Sequence, residues 1–264
     1  MNEDRKGAAR RRWSLGALAL GALFAAACRA SAVDAASASA GPSVRSERSM
    51  SAPDAPRRYR YLAWTPVDSA PKGGWPLLLF LHGAGERGDD LARVEVHGPP
   101  KLVATTPALW GCVLVAPQCP DGEWWSTDSL LALIEEVRAT ERIDARRVYV
   151  TGLSMGGFGT FELVATRPDL FAAALPICGG LRAEREPAIA AAKDVPMRVF
   201  HGADDKVVPP ESSVRLVERL RALGADVELT LYPGVAHDSW TQTYADPAVL
   251  TWLFEQHRGR TPAR

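Results

Sequence analysis

The chain has no charge imbalance. Its 264 residues carry 31 Lys and Arg against 31 Asp and Glu. The positive field that holds a protein on nucleic acid is therefore missing, and no nucleic-acid partner is expected. After residue 30 no apolar run is long enough to cross a bilayer. Cysteine is scarce, with Cys28, Cys112, Cys119 and Cys178 only. No His, Cys, Asp and Glu group has metal-ligand spacing, and His82 and His97 stand apart in sequence from acidic or thiol partners. No metal or other cofactor is expected. Cys119 and Cys178 fall past strands expected three positions apart in a sheet, roughly 14 Å, which is too far for a disulfide. What remains is ordinary for a globular domain: 47% hydrophobic and 23% charged residues.

The N-terminus is the exception. Arg5, Lys6, Arg10, Arg11 and Arg12 precede an uncharged run over residues 15–27. Its length suits the apolar core of a signal peptide better than a membrane span. Residues 10–15, Arg-Arg-Arg-Trp-Ser-Leu, loosely resemble a twin-arginine export signal. Ala26-Ala27-Cys28 resembles a lipobox, with Ala25 where Leu is preferred, and Ala30-Ser31-Ala32 offers an alternative cleavage site. The expectation is a signal peptide over 1–30 and export to the cell envelope or beyond, with membrane attachment through a lipidated Cys28 or free secretion. Residues 31–56 are Ala, Ser, Pro and scattered charge, and read as a disordered linker. The folded domain is expected over 57–264.

Within it, polar and apolar residues alternate over 57–64, as in an edge strand. Continuous apolar runs at 77–81, 112–116, 148–150, 172–177 and 197–200 suit strands buried on both faces. Residues 227–231 give a last, alternating strand. Helical signals lie between: short ones at 89–96 and 102–109, the clearest at 126–140, then 158–165, 211–223 and 247–257. Strands alternating with helices predict an α/β class, a mainly parallel sheet covered on both faces. Sites in such sheets lie past the carboxyl ends of the strands.

One strand end carries Gly152-Leu153-Ser154-Met155-Gly156, a strand, a sharp turn and a helix. That is the Gly-x-Ser-x-Gly nucleophile elbow, whose helix aims its N-terminal N–H groups at developing negative charge. Another carries His201-Gly202-Ala203-Asp204-Asp205, and the last carries Ala236-His237-Asp238-Ser239-Trp240. The order Ser154, Asp204 or Asp205, His237 is that of a nucleophile, acid and base triad. Asp205 is preferred because it directly precedes Lys206-Val207-Val208-Pro209. Among five histidines, only His237 follows the last strand in a small-residue loop. After residues 77–81 comes His82-Gly83-Ala84-Gly85-Glu86-Arg87-Gly88, read as an oxyanion loop in which the N–H of Ala84 joins that of Met155. The same stretch spells G-x-G-x-x-G, a dinucleotide-binding fingerprint. The acidic residue required about twenty positions on is absent, which disfavours an oxidoreductase. Trp124 and Trp125 follow another strand end and could wall a pocket or simply pack under a loop; Trp240 is a further substrate-binding candidate.

With these residues assembled, the chain resembles α/β-hydrolases of the dienelactone hydrolase, phospholipase/carboxylesterase and prolyl-oligopeptidase-like groups. The resemblance rests on residues 81–88, 116–120, 152–159, 176–180, 201–209 and 232–240. It implies an α/β-hydrolase fold, hydrolysis of carboxylic esters through an acyl-enzyme on Ser154, Asp205 and His237, and no cofactor. About sixteen residues separate Gly180 from Pro196, too few for a helical lid. An open site favours small or polysaccharide-linked esters over aggregated lipid. A serine peptidase or amidase on the same scaffold, and an inactive binding protein, are the alternatives.

Overall fold

The computed structural model describes residues 43–259; the expected signal peptide and Cys28 lie outside them. The described elements run β1 (Ser43–Ser49), β2 (Arg60–Pro66), β3 (Trp75–Leu81), α1 (Gly98–Leu102), β4 (Val113–Pro117), α2 (Thr127–Thr140), β5 (Ile143–Leu153), α3 (Met155–Thr166), β6 (Ala173–Ile177), β7 (Met197–Gly202), α4 (Glu211–Ala222), β8 (Val227–Tyr232), α5 (Trp240–Ala245) and α6 (Pro247–Glu255). The strands form one sheet in the order β1-β2-β4-β3-β5-β6-β7-β8. Pairing from β4 through β8 is parallel, and β1–β2 and β2–β4 are antiparallel.

The period of two in each strand divides the core between the faces. Leu77, Leu79, Leu81, Val148 and Val150 pack with Leu133 and Val137 of α2, Phe161 and Val164 of α3, and Leu216 and Leu220 of α4. Leu78, Phe80, Leu114, Tyr149 and Leu175 pack on the other side with Tyr244 of α5 and Val249, Leu250 and Leu253 of α6. Every residue of β3, β4 and β6 is buried, as their uninterrupted apolar runs require.

Two expectations change. The disordered linker over 31–56 does not hold for its C-terminal part. Ser43–Ser49 is a strand, paired from Ser43↔Pro66 to Ser49↔Arg60. It buries little side chain, so it has no apolar alternation to read. Backbone bonds hold it, with Arg45 forking onto Glu95 at 2.9–3.0 Å and Arg48 bonding Glu141 at 2.7 Å. Charge at a sheet margin is also protection against stray pairing. Consequently the strand read over 57–64 is not an edge. It runs as β2 over Arg60–Pro66, between β1 and β4. Between β1 and β2 the chain stays pinned: the Met50 N–H donates to the Tyr59 carbonyl, and the Ser51 and Ala52 N–H groups donate to Glu136 Oε2.

Between β6 and β7 the described chain holds only a 3-10 helix, Glu186–Ala192, packed beside α3. Among the described residues no large lid covers the carboxyl ends of the strands.

Candidate active site

The turn from β5 into α3 places Ser154 in a conformation side chains avoid, with φ 53° and ψ −118°. Such a residue costs of order 1–3 kcal/mol and persists only where its surroundings enforce it. Here they do. A Cβ on Gly156 would strike the Leu81 carbonyl, and one on Gly152 would strike the Gly156 carbonyl. The two glycines let β3, β5 and α3 close around the serine.

Past β7, Asp205 is buried, and its Oδ1 accepts the N–H groups of Val207 at 2.8 Å and Val208 at 3.0 Å. Its Oδ2 faces His237 Nδ1 at 2.7 Å, and His237 Nε2 lies 3.0 Å from Ser154 Oγ. Burial works against the Asp205 charge, but the His237 hydrogen bond and the two amides outweigh it, and its carboxyl is held below the usual range. The carboxylate thus fixes an imidazole with Nδ1 as donor and Nε2 as acceptor toward the serine. Asp204 is exposed and outside this chain of bonds. Asp238 instead accepts the N–H and hydroxyl of Thr241, in the first turn of α5, at 3.0 and 2.9 Å.

The loop after β3, read from sequence as an oxyanion loop, lies beside the serine: a Cβ on Gly83 would sit 3.6 Å from that of Ser154. His82 is fully buried. Its Nδ1–H donates to the Gly83 carbonyl at 2.6 Å and its Nε2 accepts the Cys119 N–H at 2.9 Å. Burial lowers its pKa from 6.5 to about 4, so the ring is neutral. Glu86, buried, accepts the Gly83 N–H on Oε2 at 2.9 Å. Among the hydrogen bonds of the described residues, neither the Ala84 N–H nor the Met155 N–H donates. His201 is likewise buried, bonded to Ser213 and the Val208 carbonyl.

The three tryptophans part ways. Trp124, 49% exposed, stands at the rim of a cavity of about 430 Å³ beside the elbow, lined also by Trp125, Met155, Phe158, Leu181 and Arg182. Trp125 is half-buried; its Nε1–H donates to the His82 carbonyl at 3.3 Å and its ring meets Tyr59 edge to face. Trp240 is not in that lining. Its ring centroid lies 5.3 Å from that of His237 and 5.5 Å from that of His97, so it braces the imidazole.

Sequence reasoning missed two neighbours. Cys178 has φ 40° and accepts the Ser154 N–H on Sγ at 3.3 Å. Burial pushes its thiol up to about 12, which keeps it protonated and non-nucleophilic. With Asp205 and His237 it makes a group close enough for a metal, but both imidazole nitrogens already serve the hydrogen bonds above. His97, read from sequence as standing apart from acidic partners, is half-buried with Nε2 3.8 Å from Glu86 Oε1. Both contacts join residues distant in the chain, and no local pattern announces them.

A strained serine at the end of a central parallel strand, with an acid and a histidine past the last two strands, is the arrangement of an α/β-hydrolase, and the chain has that fold. A model of the dienelactone hydrolase family matches residues 123–249, a stretch containing Ser154, Asp205 and His237. A solved thermostable esterase is 37% identical with a TM-score of 0.73, over 81% of this chain and 63% of that one. A poly(3-hydroxyalkanoate) depolymerase C of Paucimonas lemoignei is 50% identical over 52 residues, 20% of this chain and 13% of that protein. A poly(3-hydroxyoctanoate) depolymerase of Pseudomonas fluorescens is 26% identical over 219 residues, 72% of this chain and 77% of that protein. The chain therefore spans under two thirds of the esterase and a small part of the first depolymerase.

Proposed function

We propose that the protein is a serine hydrolase cleaving carboxylic esters. His237 takes the proton of Ser154 as Oγ attacks the ester carbonyl carbon. The N–H groups of Ala84 and Met155 receive the resulting oxyanion, at roughly 3 kcal/mol per donor. Collapse expels the alkoxide, which takes the proton back from His237 and leaves an acyl-serine. Water, deprotonated by the same imidazole, then releases the acid and restores the hydroxyl. Asp205 stays ionised and stabilises the imidazolium.

The observation carrying this reading is the unbroken line from Ser154 Oγ through His237 to Asp205, with bonds of 3.0 and 2.7 Å. The similarity to a thermostable esterase supports it, and the uncovered site favours small esters or esters displayed on a polysaccharide. The steps above call on side chains, backbone N–H groups and water alone. Labelling with a fluorophosphonate should modify Ser154, and Ser154→Ala should abolish both labelling and turnover of p-nitrophenyl acetate. Wild-type turnover by that variant would end the reading. A p-nitroanilide should be cleaved far more slowly than the ester; the opposite ranking would make the protein an amidase.

We further propose that the protein acts outside the cytoplasm, after removal of residues 1–30 or lipidation of Cys28. Mass spectrometry of the mature N-terminus, compared between wild type and Cys28→Ala, distinguishes the two.

A further inference from the structure

Glu86 is buried although the tip of its own loop, Ala84 and Gly85, is exposed. A carboxylate stays inside a fold only where bonds hold it there. Its Oε2 accepts the Gly83 N–H at 2.9 Å, and its Oε1 lies 3.8 Å from His97 Nε2. The His97 ring in turn leans on Trp240, which also meets the His237 ring. One carboxylate thus touches the loop after β3 on one side and the residues bracing the proposed base on the other. As a charge it works against the reaction, because it opposes the oxyanion that is to form beside this loop. Its use lies in where it holds the backbone.

That backbone needs holding. A Cβ on Gly83 would come within 2.8 Å of Leu153 Cδ1 and 3.1 Å of Glu86 Oε2 itself, so the close approach to the elbow favours glycine. Glycine is also the residue whose backbone turns most freely. Gly83 joins two peptide planes. The first carries its own N–H, and the second carries the Gly83 carbonyl and the Ala84 N–H. Turned over, the second plane would aim a carbonyl where the donor belongs. His82 Nδ1–H holds that carbonyl at 2.6 Å, and Glu86 holds the N–H of the first plane. Glu86 is itself anchored: Gln118 Nε2 donates to its carbonyl at 3.1 Å and to that of Asp90 at 2.7 Å.

We infer that Glu86 is a positioning residue for oxyanion stabilisation. By holding the Gly83 N–H it keeps the Ala84 N–H turned toward the carbonyl that Ser154 attacks. This rests on the hydrolase reading above, and Glu86 itself exchanges no proton with the substrate.

The test separates position from charge. Glu86→Gln keeps an oxygen that can accept the Gly83 N–H and removes the charge. Its kcat on p-nitrophenyl acetate should stay within about threefold of the wild type. Glu86→Ala removes the acceptor. Its kcat should fall about a hundredfold, the size of losing one oxyanion donor, with KM little changed. Trifluoroacetophenone gives the second readout. Ser154 Oγ adds to its carbonyl carbon, the hydroxyl proton passes to His237, and the carbonyl electron pair becomes an oxyanion with no group leaving. Its Ki should rise about a hundredfold in Glu86→Ala and little in Glu86→Gln. Circular dichroism checks that each variant is folded. Should Glu86→Ala not fold, amide hydrogen exchange in the wild type carries the test. The Gly83 N–H should be protected in the free protein, and the Ala84 N–H only once trifluoroacetophenone is bound. Wild-type kcat and Ki in a folded Glu86→Ala overturn the inference. So does a Glu86→Gln as impaired as Glu86→Ala, or a Gly83 N–H that exchanges as fast as that of Ala84 in the free protein. A wild type that neither turns over esters nor takes the fluorophosphonate overturns the hydrolase reading instead.

Discussion

At the residue scale, adjacent aspartates have opposite fates. Asp205 is buried and holds the imidazole, while Asp204 is exposed. Asp205→Asn should lower kcat by roughly 10⁴, because an amide permits the wrong imidazole tautomer. Asp204→Asn should leave kcat within about twofold, within the small effects usual for surface substitutions. Steady-state kinetics on p-nitrophenyl acetate checks both. His82 supplies a second prediction. Its folded-state pKa lies near 4 against 6.5 when unfolded, because burial disfavours the charge. The unfolded chain takes up a proton as the pH falls through 6.5, while the native ring stays neutral until about 4. Stability is therefore complete above that window and lost within it, by roughly 3 kcal/mol at the limit. Burial lowers His201 as well, so both rings contribute. Urea midpoints at pH 7, 5.5 and 4.5 should fall steadily in the wild type. His82→Gln should start less stable and fall less. An unchanged slope would remove His82 from the acid response.

Among the elements, the turn between β5 and α3 tolerates nothing larger than hydrogen at Gly156, since a methyl there meets the Leu81 backbone. Gly156→Ala should cost at least about 2 kcal/mol in urea unfolding and most of the esterase activity. How much of this was legible depended on what each element spends its side chains on. The strands at 77–81 and 172–177 are buried on both faces, so hydrophobicity alone marks them. The elbow is legible because its geometry demands glycines at fixed offsets. The order of Ser154, Asp205 and His237 past β5, β7 and β8 was visible because parallel topology puts these strand ends on one rim. β1 was hidden because backbone bonds and Arg–Glu pairs hold it. Six-residue α5, with no side-chain cap of its own, offered too short a period to detect. The Cys178 contact with Ser154 and the His97 contact with Glu86 exist only once separate segments meet, so no short window of sequence announces them.

Across the whole molecule, the sheet distributes the site unevenly. Ser154 sits past β5, at its centre, between β3 and β6. Asp205 and His237 follow β7 and β8, and β8 is the last strand, with most of its residues at least partly exposed. The proposed nucleophile is thus anchored in the most protected part of the fold and its proposed activating pair near the margin. Local opening draws on regions with few buried contacts. In a urea titration, loss of p-nitrophenyl acetate hydrolysis should precede loss of far-ultraviolet circular dichroism. Coincident curves would show that the margin is as firm as the centre. Fluorophosphonate labelling should track the activity curve, because the serine needs its base to react.

That unevenness sets how the catalyst would wear out. A fold whose outermost ribbon carries the proton acceptor can be switched off by fraying and restored by re-annealing, its interior untouched. Durability engineered into the central strands would lengthen the life of the scaffold and leave the working life of the catalyst where it was. Reinforcing the final β8 strand and its junction with α4 is the change that would prolong it.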